Sequence, residues 1–98
     1  METGNMSEEI SGSVWDALAD TEQEAANLKA RSALLFEIRK AVQGWGLSQE
    51  GAAKRLGLTR PRTNDLLRGK LAKFSLDALV NIAAAARLEI EIRVKDAA

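Results

Sequence analysis

The 98-residue chain contains no cysteine and no histidine, one proline, and only 4% aromatic residues. Without cysteine there is no disulfide framework and no thiolate chemistry. Without histidine the usual general base and the commonest metal ligand are both missing. Catalysis would have to rest on carboxylates, lysine or serine, and no constellation of these stands out. No enzyme activity, no cofactor and no metal are therefore expected. The few aromatics form no row on which bases could stack, which argues against single-strand binding. No apolar run approaches the roughly 20 residues of a membrane helix. The first residues show no basic segment followed by an apolar core, as a signal peptide would. The expected location is the cytoplasm, with no membrane partner.

Apolar residues make up 46% of the chain, enough for one small domain with a compact core. The formal net charge is zero, but the charges are segregated. Residues 1–27 carry Glu2, Glu8, Glu9, Asp16, Asp20, Glu22 and Glu24 and no Lys or Arg, a balance of −7. Residues 48–73 carry Lys54, Arg55, Arg60, Arg62, Arg68, Lys70 and Lys73 against Glu50 and Asp65, a balance of +5. A basic patch of this kind attracts phosphate even in a neutral chain.

Along the chain, three regions separate: an acidic, partly flexible arm over 1–21, a helical domain over 22–87, and a strand with a short tail over 88–98. Within the arm, Val14, Trp15 and Leu18 form an apolar island that fits one turn of amphipathic helix. It suits docking on the body of the protein or on a sister chain, or contact with a partner. A long helix is predicted over 22–44, with Leu28, Leu34, Leu35, Ile38, Ala41, Val42 and Trp45 as its inward stripe, ended by Gly44 and Gly46. Ser48 caps a second helix over 49–56, and Gly57 makes the turn after it. Thr59 caps a third helix over 60–68, stopped by Gly69. Phe74 and Ser75 open a fourth, with Leu76, Leu79, Val80, Ile82, Ala83 and Ala86 as its buried face.

The period then changes. Over 88–95, Leu88, Ile90, Ile92 and Val94 alternate with Glu89, Glu91, Arg93 and Lys95, the pattern of a half-buried strand. No second strand is evident, and a lone strand leaves its backbone groups unpaired. The simplest partner is the same strand of a second copy. An antiparallel pair with its two-fold axis at Ile92 sets Glu91 against Arg93 and Glu89 against Lys95 of the other chain. Each such pair contributes roughly 0.2–1 kcal/mol relative to alanine pairs. A homodimer joined through this segment is expected.

The second and third helices, with the glycine turn between them, read as a helix-turn-helix. Ala53 sits where the helices cross, Gly57 makes the turn, and Leu66 pins the third helix to the core. Pro61 falls in the first turn of that helix, where amides lack helical partners, so it costs little and fixes the helix start. Trp45 reads as core, Lys54 and Arg55 as solvated, and Asp65 as paired locally with an arginine.

The stretch "LSQEGAAKRLGLTRPRTNDLLRGKLAKFSLDALVNIA" resembles the helix-turn-helix of the phage-repressor-like (Cro/C1, or XRE) family. Through "LSQ", "PR", "DLLRG" and "FSLD" it is most similar to the HigA-type antitoxins, and the likeness runs over about residues 14–94. Two positions depart from the pattern. Thr63 stands where the family usually has Val or Ile, and Gly51 lies inside a helix at a cost of roughly 0.5–1 kcal/mol.

The resemblance implies a mainly α fold, a small bundle of four to five helices with a C-terminal β-strand pairing across a dimer. It implies base reading in the major groove by Arg60, Arg62, Thr63 and Asn64, with Arg62 bidentate on guanine. Phosphate contacts are implied for Gln49, Thr59, Arg68, Lys70 and Lys73. Leu88, Ile90, Ile92, Val94, Glu91 and Arg93 would form the dimer seam. The implied function is a repressor of a palindromic operator that autoregulates its operon as the antitoxin of a type II pair. Its toxin would be a small basic ribonuclease of the RelE type. Two other readings fit the residues: a plain XRE-family regulator without a toxin, and a protein-interaction module that has lost DNA binding.

Overall fold

The computed structural model describes residues 21–96. In chain order they form α1 (Glu22–Trp45), α2 (Gln49–Leu56), α3 (Arg60–Leu67), a 3-10 segment (Leu71–Lys73) and α4 (Leu76–Ala85). Each helix begins at a hydroxyl. Thr21, Ser48, Thr59 and Ser75 each accept a hydrogen bond from the amide three residues on, at 3.0–3.2 Å. These caps satisfy amides that the first turn leaves without carbonyl partners. Gly46 and Gly57 end α1 and α2 in the left-handed region, with φ of 69° and 71°.

The core is one cluster. Leu35, Ile38 and Val42 of α1 meet Ala52 and Leu56 of α2, Leu66 of α3, and Leu79, Ile82 and Ala83 of α4. Phe74 joins them from the connection before α4 and is 1% exposed. It lies just before the cap Ser75, with Leu79 in the first turns of α4, the spacing of a hydrophobic staple that sets the angle of chain entry. Burial of side chains such as Ile38, Leu66 and Leu79 is worth about 1.5–3 kcal/mol each. Ala53 is buried at 4% exposure, which lets α2 and α3 approach closely.

Four expectations need correction. Phe74, expected to open the fourth helix with Ser75, lies before its cap. The third helix ends at Leu67, with Arg68 as its cap. Val80, placed on the buried face of the fourth helix, is 40% exposed. Among the described residues there is no strand, and 88–95 runs along the body without pairing. A ladder needs a second strand and one copy of the chain supplies none. Along this segment Leu88 packs on the core, while Ile92 and Val94 stand 81% and 89% exposed.

α4 ends in an unusual way. Leu88 N–H donates to Ala83 O and Arg87 N–H to Ala84 O, the paired bonds of a Schellman turn. The left-handed residue of that turn is Arg87, at φ 65°, where glycine is the usual choice.

Candidate nucleic-acid interface

α2 and α3 with the Gly57 turn form the helix-turn-helix, anchored by Ala53 and by fully buried Leu66. Two helix N-termini, at Ser48 and Thr59, therefore belong to one unit. Their free amides and dipoles favour anions. Pro61 occupies the first turn of α3, where it removes no helical hydrogen bond.

Residues from both helices meet there. Gln49, the first residue of α2, donates from Nε2 to Asn64 Oδ1 of α3 at 3.1 Å. Arg60, the first residue of α3, is exposed, and its side chain has no hydrogen bond or ion pair with another described residue. Asn64 is half-buried, and its Nδ2 makes no hydrogen bond to another described residue.

Two of the four predicted reading residues are placed differently. Thr63 is 0% exposed and its Oγ1 donates to Thr59 O at 2.8 Å. It fills the inward position that Val or Ile would take, its hydroxyl satisfied by the carbonyl one turn back. It does not present itself to a groove. Arg62 turns toward the far end of the unit: Nη1 donates to Lys73 O at 2.8 Å, and the guanidinium lies over the Phe74 ring at 4.2 Å. Its fork is engaged with protein.

The predicted phosphate residues divide as well. Thr59 serves as the cap of α3. Arg68 is exposed, and its side chain has no hydrogen bond or ion pair among the described residues. Lys70 and Lys73 reach Asp65 at 3.6 and 3.9 Å, so Asp65 pairs with lysines, not with an arginine as expected. Both lysines are well exposed, and pairs of this kind are weak and screened by salt. They remain able to exchange Asp65 for phosphate.

Three arginines have roles that charge patterning did not show. Arg31 Nη1 donates to Leu71 O and Phe74 O, both at 3.2 Å, and Arg39 Nε donates to Leu67 O at 3.1 Å. One signal was present for Arg31: it continues the spacing of Leu35, Ile38 and Val42 toward the N-terminus, so it faces inward. Arg55 is exposed, as expected, and its guanidinium also lies over the Trp45 ring, 4.5 Å from the ring centre. Trp45 is partly buried against the core, as expected. Val14, Trp15 and Leu18 lie outside the described residues.

Among the described residues no helix is long and apolar enough to cross a membrane. The helix-turn-helix domain family matches residues 17–95, which takes in every described helix and the whole of the 88–95 segment. No curated protein matches the chain. A helix-turn-helix domain suggests a DNA-binding regulator, and such domains are typically not enzymes. On a match over most of its length, the chain belongs to the helix-turn-helix domain family.

Proposed function

We propose that this protein is a sequence-specific double-stranded DNA-binding repressor that works as a homodimer on a palindromic operator. The observation that carries the proposal is the joined start of α2 and α3. Gln49 holds Asn64 by its side-chain oxygen while Arg60 stands unpaired beside them. Arg60 takes the guanine-reading role, since a free guanidinium fork fits guanine N7 and O6. Asn64, its oxygen retaining a second lone pair and its nitrogen free to donate, suits the edge of adenine. Arg68, Lys70 and Lys73 supply the phosphate contacts that set affinity and its salt dependence.

The dimer reading rests on the 88–95 segment. Its apolar residues leave the body progressively, and its charges are self-complementary about Ile92. Leu88, Ile90, Ile92 and Val94 would close over the seam, with Glu91 facing Arg93. Two recognition helices related by this axis would read half-sites about one helical turn, roughly 34 Å, apart.

The finer reading is an antitoxin of a type II pair, which represses its own operon and neutralises a small basic RelE-like toxin. It is supported by the likeness of "LSQ", "PR", "DLLRG" and "FSLD" to HigA-type antitoxins and by the acidic segment that carries Trp15 and Leu18. Mobility shift with the DNA upstream of its own gene tests the repressor. Co-expression with the product of an adjoining reading frame tests the antitoxin. A retarded duplex and relief of growth arrest are the expected results. Repression without a toxin partner would leave a plain regulator, and no DNA binding at all would leave an interaction module.

A further inference from the structure

Besides its own backbone turns and the buried Phe74, the connection from α3 to α4 is held by three arginine side chains. A three-residue 3-10 turn makes few internal hydrogen bonds, so carbonyls at its ends need other donors. Arg39 takes Leu67 O, Arg31 takes Leu71 O and Phe74 O, and Arg62 takes Lys73 O. Two of these arginines come from α1, and the third is part of the helix assigned to DNA reading. The Phe74 ring, immobile in the core, gives the Arg62 guanidinium a face to stack on. Space around the connection is also tight. A Cβ at Gly69 would come within 3.2 Å of Arg39 Nη1, and Gly69 has φ 72°, so that position admits only glycine without strain.

Arg68, Lys70 and Lys73 project from this same short stretch. Left loose, their backbone would have to be ordered on DNA at an entropic cost. Held by three arginines, it is set before DNA arrives.

We propose that Arg62 is a positioning residue: with Arg31 and Arg39 it fixes residues 67–74 so that Arg68, Lys70 and Lys73 form a preset phosphate clamp. This rests on the DNA-binding reading above and changes the role that Arg62's position in α3 suggests. A base-reading arginine carries specificity at one base pair. A positioning arginine carries affinity for every duplex and part of the salt dependence.

The test compares wild type, Arg62→Ala and Arg62→Lys by fluorescence anisotropy across a salt series. The probes are a duplex selected by the wild-type protein from a randomised library and a scrambled duplex of equal length. Amide hydrogen exchange over residues 70–74 is measured on each DNA-free protein. Arg62→Ala is expected to weaken both duplexes by a similar factor of about ten and to lower the salt slope by about one. Their affinity ratio stays the same, and exchange over 70–74 rises. Arg62→Lys, which can still donate to Lys73 O, recovers part of each effect. The proposal is overturned if Arg62→Ala collapses the ratio through one base pair while the scrambled duplex and the slope stay at wild-type values. Unchanged exchange over 70–74 overturns it equally. A wild-type protein that binds neither duplex refutes the DNA-binding function and the clamp with it, and the exchange result still decides whether Arg62 holds the segment.

Discussion

Gln49 Nε2 donates to Asn64 Oδ1 across 3.1 Å, tying the first residue of α2 to the second turn of α3. The bond orients both amides at the proposed reading surface, so the two residues act as one. Gln49→Ala and Asn64→Ala should each weaken operator binding, and the double variant should lose less than the sum. The expected coupling is about 0.5–3 kcal/mol. Additive losses in a double-mutant cycle of affinities would mean that the pair does not act together on DNA.

Thr63 is expected to matter for neither recognition nor much for stability. Thr59 O, which accepts its hydroxyl, also accepts the Thr63 amide at 2.9 Å. Thr63→Val therefore leaves no orphaned carbonyl and adds a buried methyl. The change in unfolding free energy should stay within about 1 kcal/mol, and operator preference should not move. Denaturant unfolding and a binding series on single-base operator variants check both parts.

Arg87 is the one non-glycine residue at positive φ among those described. A left-handed conformation costs a side-chain-bearing residue roughly 1–2 kcal/mol, part of which glycine returns as chain entropy in the unfolded state. Arg87→Gly should stabilise the protein by about 1 kcal/mol, or about 4–8 °C in Tm for a domain of this size. A lowered Tm would show that the Arg87 side chain contributes more than its backbone costs.

Ile92→Lys should convert the proposed dimer to a monomer. The substitution sets two like charges against each other on the two-fold axis and removes an 81% exposed apolar residue from the seam. Sedimentation or scattering should give the monomer mass, with the helical content of α1–α4 unchanged. A dimer that survives would place the seam elsewhere.

Much of the helical framework could be read from local chemistry. Ser48, Thr59 and Gly57 announce α2 and α3 because caps and left-handed turns are properties of a few adjacent residues. What could not be read is long-range or depends on a second molecule. Arg39 and Leu67 are 28 residues apart, Arg31 and Phe74 43 apart, and a guanidinium meeting a distant carbonyl leaves no periodic trace. The same gap hid the direction of Arg62, whose position in the first turn of α3 suggested the groove while Phe74 and Lys73 O drew it back. Val80 has the right period for burial, but the exposed side of α4 sets its environment. The alternation of 88–95 is plain in the sequence, yet one copy of the chain cannot make a strand of it.

The most direct test is selection of bound duplexes from a randomised library by the wild-type protein, repeated with Arg60→Ala. Sequence-specific reading by a dimer requires a palindromic consensus with half-sites about one helical turn apart. Arg60→Ala should erase a G·C pair at the same position of each half-site, a loss of about 1–3 kcal/mol of discrimination, while salt-sensitive background binding persists. A wild-type protein that enriches no sequence, or an Arg60→Ala variant that enriches the same one, would contradict that function.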